Sequence, residues 1–134
     1  MDTDTPSSRA TERAALAKDP PYSEGPVWSV QFMRAERGRT LSYLASLRSG
    51  WKPVMEAAKE KGLILGYRVL ISPLAHPDDW DVVLVIELPN MAALDGYNEK
   101  LRELGGGLAA PGNPDGSALH ELMGMKLLRE AILT

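Results

Sequence analysis

Hydrophobic and polar positions along the chain change period several times, and each change marks an element. In residues 27–35, "VWSVQFMRA", Val and aromatic residues dominate and predict a β-strand. Its alternation puts Trp28, Val30 and Phe32 on one face and Val27, Ser29, Gln31 and Met33 on the other. From Leu41 the steps lengthen to three and four. Leu41, Leu44, Leu47, Arg48, Trp51, Val54, Met55 and Ala58 make one stripe, as an amphipathic helix requires. Pro53 lies within the stripe and should kink it, because proline has no amide to donate and clashes one turn back. The stripe keeps its phase across Pro53, which predicts a single bent helix closed by Lys61 and Gly62. Residues 63–75 and 80–88 read as a second and third strand, and the prolines between them mark the turn of an antiparallel hairpin. Residues 89–107 read as a second helix, with Asn90 as its cap, Leu94, Tyr97, Leu101 and Leu104 as its buried stripe and Gly105 as its stop. A Gly- and Pro-rich connection follows, then a short helix over residues 117–123 capped by Ser117. A fourth strand runs over residues 125–134, a segment whose residues also suit a helix.

The order β-α-β-β-α-β predicts an α+β fold, the ferredoxin-like plait, with two helices on one face of a four-stranded antiparallel sheet. Strand parity assigns Trp28, Val30, Phe32, Leu65, Tyr67, Val69, Val82, Leu84 and Ile86 to the face under the helices. The other face then mixes Ser29, Gln31, Met33, Arg68, Leu70, Asp81, Val83, Val85 and Glu87. That is too aliphatic for a face left in water, so a second sheet is expected against it, giving a homodimer. Gln31, Arg68, Asp81 and Glu87 are the candidate interface residues, with Arg68 and Glu87 able to neutralise each other across strands. Residues 1–26 are polar and Pro-containing. They are expected to form an arm outside the 27–134 domain, holding at most a short helix near Ser8–Lys18 and a single aromatic anchor, Tyr22.

Composition narrows the function classes. The 134 residues are 44% hydrophobic and 25% charged, as in an ordinary globular domain. A net charge of −3 without a basic patch argues against nucleic acid. No apolar run approaches membrane-spanning length. No signal pattern opens the sequence, so a cytoplasmic protein is expected, or a periplasmic one if a leader has been removed. Without cysteine, thiolate chemistry and cysteine metal sites are excluded.

"WKPVMEAAKEKGLILGY", "DDWD" and "PNMAALDG" resemble an uncharacterised bacterial branch of the dimeric α/β-barrel superfamily, which includes the antibiotic-biosynthesis monooxygenases. The resemblance covers about residues 27–134. It implies two plaits whose sheets face each other in a barrel. Members include cofactor-free monooxygenases, haem-degrading and chlorite-decomposing enzymes, small-ring isomerases and proteins of no known activity. Members hold ligands between helices and sheet, which here implies a pocket lined by Trp28, Tyr43, Trp51, Met55, Tyr67 and Met91. No haem-ligand motif matches, so no catalytic residue is transferred from the family.

The chemistry-bearing residues are few. Asp78, Asp79 and Asp81 form an acidic cluster, but the ligand spacing of a calcium loop is absent, so a capped turn is the favoured reading over a metal site. His76, in a loop, is the better candidate base of the two histidines; His120 falls on the short helix. Tyr67 places a phenol on an apolar sheet face, where it needs a partner. Trp51 beside the kink can wall a cavity. The "GGG" at residues 105–107 lacks the context of a phosphate loop, and no serine sits in a nucleophile elbow. The expected function is a homodimer that binds a small apolar or aromatic molecule. In the enzyme reading it is a cofactor-independent monooxygenase or isomerase, with His76 or Tyr67 moving the proton and Trp51 shaping the cavity. A non-catalytic binding or stress-response module is the alternative, and a haem-binding protein with a histidine ligand is the third reading.

Overall fold

The computed structural model describes residues 6–73, 75–105 and 120–134. Helix α1 (Pro6–Lys18) is exposed from Ser7 onward and ends before Pro20 and Pro21. Four strands follow: β1 (Tyr22–Ala35), β2 (Gly66–Ile71), β3 (Val82–Leu88) and β4 (His120–Leu133). They form one antiparallel sheet in the order β2-β3-β1-β4, which is compatible with a ferredoxin-like plait. Between β1 and β2 run α2 (Thr40–Ser46), a π turn (Leu47–Trp51) and α3 (Lys52–Glu60). Between β3 and β4 lie a 3₁₀ turn (Met91–Leu94) and α4 (Tyr97–Glu103). The connection at residues 106–116 and the Ser117 cap lie outside the described residues.

The first correction concerns β1. Ser29 pairs with Ile86, Gln31 with Leu84 and Met33 with Val82, and residues opposite one another in a ladder share a face. Ile86, Leu84 and Val82 are buried under the helices, so Ser29, Gln31 and Met33 lie there too. Trp28, Val30 and Phe32 pair with Glu87, Val85 and Val83 on the open face. The bulkier side of β1 therefore points away from the helices, opposite to the parity expectation. Val27 explains the choice: it is wholly buried against Val54, Met55, Ala58, Ile64 and Leu88, and a one-residue slip would expel it. The β2 and β3 faces are as expected from alternation, except that Ile64 and not Leu65 enters the core.

β1 also begins earlier than its hydrophobic pattern. Tyr22–Glu24, in the segment read as an arm, pairs with Ala131–Leu133. The register shifts between Glu24 and Val27, where Gly25 and Pro26 face a single partner residue. A Cβ at Gly25 would stand 3.0 Å from Ile132 Cδ1, so a larger residue there would have to displace the Ile132 side chain. At the other end, His120–Met123 is strand and not the expected helix.

The long helix is continuous, and its irregularity is a π turn just before Pro53. The Lys52 amide bonds back five residues to Leu47 O. Widening the turn there makes room for the proline ring, whose clash with the carbonyl one turn back would otherwise break the helix. The extra residue shifts the phase of everything upstream by one position. Tyr43 therefore turns inward, 1% exposed, whereas Leu41 is 82% exposed. The second helix is also interrupted: Gly96 adopts a left-handed φ of +67° between the 3₁₀ turn and α4. Asn90 caps its start, with Oδ1 accepting from Ala93 N at 3.1 Å, and Leu94, Tyr97, Leu101 and Leu104 all pack on the core as expected.

The phase shift has a measurable consequence. Tyr43→Ala should lower unfolding free energy by about 3 kcal/mol or more, and Leu41→Ala should stay within about 0.5 kcal/mol of the parent. Urea denaturation of the two variants checks this, and comparable losses would contradict the inward turn of Tyr43.

Candidate functional site

Between the helix layer and the sheet lies a cavity of about 650 Å³, within the usual range for small-molecule sites. Its floor is Ser29, Gln31 and Met33 of β1 with Leu84, Ile86, Met125 and Leu127. Tyr43, Leu47, Trp51 and Met55 roof it, and Leu94, Tyr97 and Leu101 close one side. The lining is mainly apolar. The polar exceptions on β1, Ser29 and Gln31, are the residues whose polarity misled the parity reading.

His120 reaches this cavity because β4 carries a bulge. Met125 pairs with Gln31 and Gly124 with Phe32, but Met33 pairs with Leu122, leaving Met123 without a counterpart. Strict alternation from Met125 would aim His120 at the open face. The inserted residue reverses the parity, so His120, opposite Ala35, turns toward the helices. Its ring stacks on Tyr43 with centroids 4.8 Å apart and planes inclined by 27°. Its Nδ1 is buried without a hydrogen-bond partner among the described residues, as is the Tyr97 hydroxyl. Both residues contribute to the cavity lining, and each carries an orphaned polar atom, although buried polar groups are almost always paired. Burial favours the uncharged form of both groups, lowering the His120 pKa and raising that of Tyr97.

Asp81 sets the wall behind Tyr43. Its Oδ1 accepts from Ala35 N at 2.9 Å and its Oδ2 from Thr40 Oγ1 at 3.3 Å, tying the end of β1 to the start of α2. Burial, and secondarily the Asp81 charge, pushes the Tyr43 phenol up to about 12. Gln31 Nε2 donates to Met125 Sδ at 3.6 Å across the floor. Behind His120 a separate polar cleft of about 390 Å³ is lined by Arg34, Glu36, Arg37, Asp78 and Glu121, and His120 alone belongs to both spaces.

Of the pocket residues expected from sequence, Tyr43, Trp51 and Met55 line the cavity. Trp28 stands on the opposite sheet face, where its Nε1 donates to Glu130 Oε1 at 3.0 Å. Met91 is exposed on the 3₁₀ turn. Tyr67 lies outside the cavity lining, packs edge-on against Trp51 at 5.4 Å and donates its hydroxyl to Glu56. His76 is exposed in the β2–β3 loop, its Nδ1 accepting from Asp78 N at 3.2 Å. The acidic cluster behaves as a turn: Asp79 Oδ1 accepts from Trp80 N at 2.8 Å, while Asp81 serves the β1–α2 junction. Among the described residues no three His, Asp or Glu side chains are grouped to hold a metal ion. Of the expected interface residues, Arg68 and Glu87 lie on the open face, whereas Gln31 faces the cavity and Asp81 is bonded within the chain.

For the haem reading, His120 is the imidazole among the described lining residues of the cavity. Tyr97 was legible in the sequence as the one hydroxyl-bearing member of its helical stripe. His120 was not, because no sequence signal marks a one-residue bulge. No family model and no curated protein matches the chain.

The site makes stability depend on pH at both ends. His120 is held below its ordinary pKa of 6.5, so the unfolded chain takes up that proton first and stability falls as pH drops through and below 6.5. The Tyr43 phenol is raised, so its contribution is complete below pH 10.0 and is lost as pH rises toward about 12. Urea midpoints measured against pH should fall at both extremes. His120→Phe should flatten the slope just below neutrality and leave the alkaline slope in place.

Proposed function

We propose that this protein is a homodimer that holds a small, largely apolar or aromatic molecule between its helices and its sheet. The observation that carries the reading is the cavity itself, a mainly apolar space walled by Trp51, Tyr43 and Met55. Where the bound molecule is turned over, as in a cofactor-independent monooxygenase or isomerase, the proton is moved by His120, a neutral imidazole in an apolar wall. His76 and Tyr67 stand outside the cavity and are not assigned that role.

Support for the homodimer comes from the open face of the sheet. With β1 in its observed register, that face carries Trp28, Val30 and Phe32 beside Val83, Val85, Leu70 and Leu128. Trp80 extends it, its ring 5.1 Å from that of Phe32. An antiparallel sheet with one solvated face alternates apolar with polar residues, and this one is apolar on both faces at its centre. A second copy packed sheet to sheet would cover it, as the dimeric α/β barrels do.

Native mass spectrometry of the protein purified without added ligand tests both halves of the proposal. A dimer retaining a small molecule is expected. Ser29→Trp, which fills the floor, should lose the adduct and remain dimeric. Val30→Asp, on the open face, should give folded monomer. A parent protein that runs as a bare monomer would sink the proposal.

A further inference from the structure

Trp51 roofs the cavity, and the Tyr67 ring meets it edge-on, with centroids 5.4 Å apart and planes at 90°. Tyr67 belongs to a different space, a surface cleft of about 460 Å³ that it lines with Glu56, Lys59, Arg68 and Glu87. Its hydroxyl donates to Glu56 Oε1. Two touching rings and a carboxylate thus join the cavity wall to the surface. Indole and phenol are among the side chains most readily oxidised by one electron. A phenol that loses an electron becomes a strong acid, so the electron leaves readily only where a base takes the proton at once. Tyr67 has such a base in Glu56. The Tyr97 hydroxyl has no partner among the described residues, and near Tyr43 the Asp81 carboxylate is engaged by Ala35 N and Thr40. The hydrogen bond to Glu56 also raises the Tyr67 phenol above its ordinary pKa of 10.0, so at neutral pH the proton stays on oxygen until the electron goes.

We propose that Trp51, Tyr67 and Glu56 form a relay that carries a one-electron oxidising equivalent from the cavity wall to the protein surface. A one-electron oxidant of the radical class takes an electron from the Trp51 indole and is itself reduced. The resulting indole radical cation takes an electron from Tyr67 across the ring contact, and the phenolic proton passes to Glu56 Oε1. Trp51 is restored, Tyr67 holds a neutral phenoxyl radical and Glu56 a neutral carboxylic acid, so the positive and negative charges cancel. The relay draws oxidation away from a wall that also holds the thioethers of Met33, Met55 and Met125, which oxidation would turn into polar sulfoxides. It goes beyond the binding reading above and needs no bound guest.

Pulse radiolysis of the full chain in azide solution tests this, because the azidyl radical oxidises tryptophan in preference to tyrosine. Trp28 and Trp80 are oxidised as well, so the relay is read from the differences between variants. In the parent, tryptophan-radical absorbance should decay as tyrosyl-radical absorbance grows, at a rate independent of protein concentration. Trp51→Phe and Tyr67→Phe should each lose this fast phase. Glu56→Gln should slow it by about a hundredfold, the lower end of what a positioned base contributes. Glu56 is exposed and Tyr67 half-buried, so those two variants test the route even where Trp51→Phe disturbs the core. A fast phase that persists in Tyr67→Phe or in Trp51→Phe would overturn the relay, as would the absence of tyrosyl growth in the parent. An unaltered rate in Glu56→Gln would overturn the assignment of the proton acceptor.

Discussion

Val27 and Leu88 sit opposite each other on β1 and β3, both wholly buried against Val54, Met55 and Ala58 of α3. This pair locks the central strand to the helix layer, and the rest of the sheet is placed by it. Once Val27 is inside, period-two alternation carries Ser29, Gln31 and Met33 inward and Trp28, Val30 and Phe32 outward. The inward set is shorter and more polar than a well-filled core would demand. The space it leaves under the helices is the cavity, and the aromatic surface it sends outward makes the open face apolar. Both properties follow from one register.

Two local irregularities then aim the residues that matter. The π turn ahead of Pro53 inserts one residue into the helix and brings Tyr43 inward. The bulge at Met123 inserts one residue into β4 and brings His120 to the same side. Their rings meet at 4.8 Å. Either insertion alone would leave one ring without the other, because each reverses or rotates the side-chain direction of everything beyond it. Asp81 completes the arrangement by tying the end of β1 to the start of α2, holding Tyr43 at a fixed height over the floor.

The sheet thus has two faces of different character. Beneath the helices it forms one wall of a space whose described lining holds no Lys, Arg, Asp or Glu. On the other side it presents valines, a phenylalanine and two tryptophans, flanked by Arg68, Glu87 and Lys126. Sheet-to-sheet association and ligand binding would therefore use opposite faces of the same strands, which allows a partner to stiffen the cavity floor without obstructing it.

Element types and their order were largely readable from the chain, since they depend on local periodicity: the strands at β1, β2 and β3, the long helix through Pro53, the Asn90 cap and the Leu94–Tyr97–Leu101–Leu104 stripe. The α+β class and the antiparallel sheet follow from that order, whereas the expectation of space between helices and sheet bordered by Tyr43, Trp51 and Met55 came from the resemblance to the dimeric α/β barrels. What depended on counting residues across an irregularity was not readable. A parity argument for β1 follows the larger apolar set, and only the burial of Val27 by residues distant in sequence reverses it. His76 stood out by its sequence context and is exposed, whereas His120 stood on a segment that looked helical and lines the cavity. A single inserted residue leaves no compositional trace, yet it changes which side chain faces inward, because direction in a strand or helix accumulates along the chain and is corrected only by packing against other elements.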